Sequence, residues 1–160
     1  MRFIAIVALL AAIICATFAD CDEVEGKVNG VKFKINLEHF TDTFQGVLPE
    51  MSGLLRFRLC EPVKNEKCVS GTSVCFRDSD LKQSFSYGTA DSQTLTFAKS
   101  FNGAEATFSQ GSTCAPGKRA SSYFRFECVS VFYTDTIECS RSPCFLNCTV
   151  HTNHACRVPD

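Results

Sequence analysis

The sequence predicts an all-β, disulfide-rich protein with the architecture of a sandwich or a flattened β-barrel. Two observations carry this prediction: several segments alternate apolar and polar residues with a period of two, and prolines and glycines are scattered between them at the intervals typical of turns. Short strands at this spacing favour a sandwich or barrel. A high cysteine content adds that disulfides stabilise the fold.

Residues 1–19, MRFIAIVALLAAIICATFA, have the features of a secretory signal peptide. Arg2 precedes an apolar run, and Thr17 and Ala19 place small residues at the positions before the predicted cleavage site. An uncleaved signal anchor is the alternative, because the run of about seventeen apolar residues is near the lower limit for spanning a bilayer. Cleavage leaves residues 20–160, which we interpret as a single domain of 141 residues (160 minus 19).

The charge of the predicted mature chain is nearly balanced. Without Arg2, 15 basic residues face 17 acidic residues, for a formal charge of -2. This balance argues against nucleic acid or an anionic membrane as partner. The mature chain also has no further apolar run long enough to span a bilayer, so we predict no membrane span in it.

The clearest strand signal is GLLRFRLC, residues 53–60, in which leucine and phenylalanine alternate with Arg56 and Arg58. RASSYFRFECVSVFY, residues 119–133, carries aromatic residues on both faces and is long enough for one bent strand or two. Both patterns predict strands with a buried face.

Shorter segments complete the predicted β-structure. The further candidate strands are residues 30–36, 82–88, 92–98, 104–110 and 145–152. FNG at 101–103 is a turn signal, and LEHFTDTF at 37–44 is the one segment in which we predict a helical turn or two.

Ten cysteines remain once Cys15 leaves with the signal peptide, and an even number permits complete pairing. In an oxidising compartment we predict five disulfides, although spacing alone does not determine their connectivity. The ten are Cys21, Cys60, Cys68, Cys75, Cys114, Cys128, Cys139, Cys144, Cys148 and Cys156.

Residues 144–156 contain thiol and imidazole side chains of the kinds that bind zinc, at Cys144, Cys148, His151, His154 and Cys156. Thiols are usually oxidised in the secretory pathway, and strand alternation places Cys148 and His151 on opposite faces. We therefore predict disulfides here, with no metal and no cofactor.

The chain also has no recognisable catalytic constellation. There is no GxSxG motif, no unpaired thiol is expected, and His39, His151 and His154 have no recognisable acidic partner. Paired carboxylates for glycoside hydrolysis have no local signature, so individual acids are interpreted as surface residues. We predict a protein that is not an enzyme.

CAPGKRASSYFRFEC, residues 114–128, followed by CFLNCTVHTNHAC, residues 144–156, resembles the mannose 6-phosphate receptor homology domain. In that family a cysteine precedes an arginine by about five residues, a strand leads to a second cysteine, and the domain closes on a cysteine and a later Ala-Cys. Cys114, Arg119 and Ala155 stand at the corresponding positions.

The resemblance implies a flattened β-barrel of two antiparallel sheets. It implies the pairs Cys21–Cys60, Cys68–Cys75, Cys114–Cys144 and Cys128–Cys156. It leaves Cys139 and Cys148 over, and we expect these two to form a fifth bridge.

Sugar-binding members of this family hold mannose hydroxyls with Gln, Arg, Glu and Tyr. Arg119 matches the Arg, whereas Phe76 and Leu146 stand where the Gln and Tyr are expected. Glu138 is the candidate for the Glu, although Thr136 lies nearer the expected position. The resemblance thus implies a degenerate site with the candidate ligand-binding residues Arg119 and Glu138. For Arg119, capping a loop or pairing with Glu105 or Glu127 is an equal alternative.

We therefore expect a secreted or lumenal binding module of the secretory or endolysosomal pathway, whose partner is a glycan or glycoprotein. The alternatives are a purely protein-binding scaffold and a lipid carrier with ligand between its sheets, since fifteen phenylalanines are many. Asn147 begins an Asn-Cys-Thr sequon and is a candidate glycosylation site.

Overall fold

The computed structural model describes residues 21–64, 67–130 and 134–160. The predicted leader at 1–19 lies outside the described residues, as do Asp20 and the last three residues of the predicted strand 119–133. Among the residues that are described, no helix has the length and apolar character needed to cross a membrane.

The described residues form fourteen β-strands and four short 3-10 helices, which confirms the predicted all-β class. The strands are β1 Glu23–Val28, β2 Val31–Asn36, β3 Phe44–Leu48, β4 Gly53–Phe57, β5 Thr72–Asp78, β6 Gln83–Thr89, β7 Thr94–Phe97, β8 Gly103–Phe108, β9 Thr113–Ala115, β10 Lys118–Arg119, β11 Ser121–Cys128, β12 Thr136–Ser142, β13 Phe145–Thr152 and β14 Val158–Pro159. The 3-10 helices are Glu38–Thr41, Pro49–Met51, Ala90–Ser92 and Asn153–Ala155.

Two main sheets form the body of the fold. One has the antiparallel order β3-β4-β5-β6, and the other has the order β12-β13-β11-β8-β7. A small sheet β1-β2-β14 and the hairpin β9-β10 complete the structure. Within the five-stranded sheet, β11 and β13 are parallel, which differs from the purely antiparallel sheets that the resemblance implied. β11 ends at Cys128 and β13 begins at Phe145, so the two parallel strands are far enough apart in the sequence for the long connection that such a pair requires.

Aromatic rings fill the space between the two main sheets. The ring centroids of Phe57 on β4 and Phe124 on β11 are 4.7 Å apart, and those of Phe40 and Phe126 are 5.1 Å apart. Along β11 the predicted alternation is observed: Phe124 and Phe126 are fully buried, while Tyr123 and its alternate neighbours lie on the outer face. Burial of these large apolar surfaces is the main favourable term for such a sandwich.

Five disulfides bind the strands to one another and to the loops. They join Cys21 to Cys60, Cys68 to Cys75, Cys114 to Cys144, Cys128 to Cys156 and Cys139 to Cys148. These are the same pairs as those expected from the resemblance and its two leftover cysteines. The three cysteines considered above as zinc ligands therefore carry no thiolate in this structure.

Candidate ligand-binding site

Arg119 lies at the exposed end of the short strand β10. Its Nη1 donates to the carbonyl oxygen of Gly111 over 3.2 Å, so it fastens a loop in the way that the structural alternative described. Of the two glutamates considered as partners of Arg119, Glu105 accepts a hydrogen bond from the Tyr123 hydroxyl at 2.6 Å. The ion-pair partner of Glu127 on its own strand is Arg125, at 2.5 Å.

Glu138 lies on the outer face of the five-stranded sheet. It is directly opposite Thr149 on β13, whereas Arg141, three residues further along β12, is opposite the buried Leu146. Directly opposite residues of an antiparallel pair share a face, and successive residues alternate faces. Glu138 therefore points away from the side of the sheet to which Leu146 and Arg141 belong.

The structure does not bring Arg119 and Glu138 together. Thr149, the neighbour of Glu138, is in register with Arg125 of β11, and Arg119 precedes Arg125 by six residues. Arg119 belongs to the separate β9-β10 hairpin, so the offset along the five-stranded sheet is counted only from Ser121, where β11 begins, to Arg125. These four residues already correspond to roughly 13 Å at about 3.3 Å per residue. Ligand binding by Arg119 and by Glu138 remains a prediction, but for two separate surfaces.

Phe76 and Leu146, at the positions of the family's Gln and Tyr, are core residues with no solvent exposure. The Phe76 ring packs where Gly53 has no side chain: a Cβ built at Gly53 would lie 2.1 Å from the ring. Above the ring lies the guanidinium of Arg141, whose Cζ is 4.5 Å from the ring centroid. An apolar floor covered by an arginine thus occupies the place where polar sugar ligands were expected.

Beside this floor a cavity of about 360 Å³ opens to the surface, and we call it the Arg141 cavity. Its lining comes from β6, the β9-β10 hairpin and the turn after β12. The lining residues are Phe85, Ser86, Tyr87, Ser112, Thr113, Cys114, Ala120, Arg141, Ser142 and Pro143.

Arg141 is held in place by Asp78 of β5, with Nη2 3.4 Å from Oδ2. The backbone N–H groups of Leu81 and Asp80 also donate to the Asp78 carboxylate, at 2.9 Å and 3.0 Å. The Leu81 hydrogen bond leads the contacts that hold the pKa of Asp78 below its ordinary value, with those of Asp80 and Arg141 adding to it. The carboxylate therefore remains ionised, and the Arg141 cavity has a fixed positive group at its edge.

Tyr87 supplies the phenol of the Arg141 cavity. Its hydroxyl donates to the carbonyl oxygen of Ser142 over 3.3 Å, and burial raises its pKa above the ordinary value. A neutral phenol and a guanidinium beside an apolar floor suit a carbonyl or carboxylate oxygen attached to an apolar group. They do not reproduce the set of paired polar groups that distinguishes one sugar hydroxyl pattern from another.

A second depression, the outer-face groove, has a volume of about 540 Å³. It runs between the Pro49–Met51 turn and strands β12 and β13, and both Glu138 and Asn147 line it. Asn147 is exposed. Glycosylation at this sequon remains a prediction, and a glycan there would lie on the outer-face groove, away from the Arg141 cavity.

Sequence reasoning did not find Arg141, Asp78 or Tyr87. Arg141 and Asp78 are 63 residues apart, and neither belongs to a motif. The only local signal was weak: in TIECSRS, Arg141 falls on the same face as Ile137 and Cys139, which is an unusual face for an isolated arginine.

No family model and no curated protein sequence matches this chain. Among solved structures, the chain is similar to domain 11 of the echidna mannose 6-phosphate/insulin-like growth factor 2 receptor, determined as an NMR solution ensemble. The TM-score is 0.65 at 19% sequence identity, and the match covers 86% of this chain and 95% of that domain. The chain therefore has the fold of a mannose 6-phosphate receptor homology domain.

Proposed function

We propose that this chain is a non-enzymatic binding module of the secretory pathway that recognises a glycoprotein through its polypeptide rather than through mannose hydroxyls. The observation that carries the proposal is the Arg141 cavity. Within a receptor-domain fold, it offers a guanidinium that is held by Asp78 and that covers Phe76, the residue at the position of the family's Gln. A carboxylate or backbone carbonyl of a protein partner fits this chemistry.

The fully buried Phe76 and Leu146 count against a mannose site. Replacing a Gln and a Tyr with apolar side chains removes several hydrogen bonds, each contributing about 1 kcal/mol to binding. The proposal also includes a single domain over residues 20–160, released by cleavage after Ala19 into an extracellular or endolysosomal lumen. Five disulfides support an oxidising compartment of this kind.

A glycan array separates sugar recognition from protein recognition. We expect the purified domain to retain no mannose-type glycan, and Arg119→Ala to change nothing. Mannose-type binding that is present in the natural chain and lost in Arg119→Ala would overturn the proposal in favour of a lectin.

The Arg141 cavity is tested with secreted glycoproteins applied to the immobilised domain before and after enzymatic removal of their N-glycans. We expect retention to survive deglycosylation and to fall at least about tenfold in Thr113→Arg, which fills the mouth of the Arg141 cavity with a long side chain.

Thr96→Arg is the matched control, because Thr96 is also an exposed strand threonine but lies on β7, at the opposite edge of the five-stranded sheet from β12. Equal losses in Thr113→Arg and Thr96→Arg would contradict recognition at the Arg141 cavity. Retention that disappears on deglycosylation would contradict recognition of the polypeptide.

A further inference from the structure

Three side chains able to bind a metal ion meet at one end of the sandwich, although they come from distant parts of the chain. His39 belongs to the Glu38–Thr41 turn, Asp135 lies just before β12, and His154 belongs to the Asn153–Ala155 turn. Nε2 of His39 is 3.0 Å from Oδ2 of Asp135. One nitrogen or oxygen from each of the three side chains lies within 4.8 Å of the others.

The turns that carry the two histidines of this cluster are packed against the core or capped. Phe40, which follows His39, is fully buried, and its ring meets both imidazoles edge to face, with centroids 5.0 Å from His39 and 6.3 Å from His154. The turn that carries His154 is capped by the Thr152 hydroxyl, which accepts from the His154 backbone N–H at 3.2 Å. Ligands placed on supported elements of this kind lose little freedom when a metal binds.

The two imidazoles are stacked, with centroids 4.2 Å apart and ring planes within 7°. Parallel rings do not aim their nitrogens at a common point, so coordination requires one ring to turn out of the stack. The His39 side chain is 46% exposed, and His154 is also exposed, so this rotation displaces no core residue. The same exposure lets an ion enter directly from solvent.

We propose that His39, Asp135 and His154 form a binding site for a divalent transition-metal ion of the Zn²⁺ type, with water completing the coordination. Two imidazole nitrogens and one carboxylate oxygen are a common protein ligand set for such ions. This departs from the metal-free prediction made from the sequence. His154 was considered there with cysteines that the disulfides consume, while its spatial partners His39 and Asp135 are more than a hundred and nearly twenty residues away in the chain.

The test uses the full disulfide-bonded protein, secreted without a histidine tag and stripped with chelator. Isothermal titration with Zn²⁺ should give one site per chain with an affinity in the micromolar range. His39→Ala and His154→Ala should each weaken binding at least about tenfold. The remaining histidine provides the control: His151 lies on β13 with Nδ1 3.5 Å from Glu127, and His151→Ala should bind as the natural chain does.

A second measurement needs no variant. Substoichiometric Cu²⁺, a paramagnetic ion that prefers the same ligands, should broaden the ring signals of His39 and His154 in the NMR spectrum before those of His151. Absence of Zn²⁺ binding, equal affinity of the His39→Ala and natural chains, or broadening centred on His151 would each overturn the proposal.

Discussion

At the scale of single residues, Phe76 and Leu146 show how a ligand position becomes part of a core. Both side chains are fully buried. The Arg141 guanidinium covers the Phe76 ring, and Arg141 lies directly opposite Leu146 in the β12-β13 pair. The sequence predicted that both positions lack the polar groups of a sugar site, and the structure adds that apolar packing takes up the space. Arg141 itself was not predicted, because its partner Asp78 is brought to it only by sheet packing.

Phe76→Gln, which restores the amide of the sugar-binding relatives, should lower the free energy of unfolding by about 3–5 kcal/mol. The ring volume against Gly53 is lost, and the buried amide has few partners. Urea unfolding at neutral pH measures the change. Phe145→Gln is the control, because Phe145 is 43% exposed and the same substitution there should shift stability by less than about 0.5 kcal/mol. Comparable losses in the two variants would contradict the core role of Phe76.

The Asp78 carboxylate should make stability depend on pH in the acid range. Its pKa is lowered in the folded state, mainly by the Leu81 N–H and then by Asp80 and Arg141. In the unfolded chain the pKa is near 3.9, so the contribution is fully present above that value and is lost as pH falls through the lower folded-state pKa.

Asp78→Asn should therefore be less stable than the natural chain at pH 7, and its stability should fall less steeply below about pH 4. Urea unfolding across this range measures both effects. Asp80→Asn is the matched control, because Asp80 contributes its backbone N–H but presents an exposed side chain. An unchanged acid slope in Asp78→Asn would contradict this assignment.

At the scale of elements, the segments with the clearest alternation were predicted, whereas β1, β5 and β12 were not. GLLRFRLC contains β4, and RASSYFRFEC contains β11, because each has a consistent apolar face. β5, at the centre of its sheet, was missed as a strand because Thr72 and Ser73 are buried polar residues that break the pattern. Their hydroxyls donate to Val69 and Glu61 carbonyl oxygens, at 2.7 Å and 2.8 Å, and no sequence rule shows those partners.

The fifth disulfide joins directly opposite positions on the edge strand β12 and its neighbour β13. It closes a short loop, with a sequence separation of 9, whereas Cys21–Cys60 spans 39. Loop-closure entropy then predicts that Cys139→Ala with Cys148→Ala costs about 2.5 kcal/mol, against about 4 kcal/mol for Cys21→Ala with Cys60→Ala. Guanidinium unfolding of the two double variants tests this order. A larger loss from the β12-β13 pair would show that the bridge does more than constrain the unfolded chain.

At the scale of the whole molecule, the fold was more predictable than the site. The fold could be predicted because strand alternation is a local pattern and cysteine spacing reflects covalent bonds. The Cys114–Cys144 disulfide is an example of such a bond. The Arg141 cavity and the His39 cluster depend on residues that become neighbours only when distant strands and turns pack together. Arg119 and Glu138 were placed by resemblance alone, and the structure puts them on different sheets, Arg119 in the β9-β10 hairpin and Glu138 on β12.

Packing of the whole sandwich also bears on the lipid-carrier alternative. A lipid held between the sheets needs a continuous apolar cavity, but here Phe57 contacts Phe124 across the interior, and Phe40 lies stacked on Phe57 with centroids 5.7 Å apart. The cavities described above are surface depressions with polar residues in their lining. In the part of the interior that the structure describes, the contact between these rings leaves no room for an acyl chain unless the sheets separate there.

We therefore expect native mass spectrometry of the gently purified protein to show the mass of the disulfide-bonded chain, with any attached glycan, and no lipid adduct. A known lipid-binding protein expressed and purified in parallel is the positive control for retention during preparation. A lipid mass that is removed by organic extraction, together with loss of stability on its removal, would contradict the packing argument, because it would mean that the rings of Phe57 and Phe124 separate to admit a ligand.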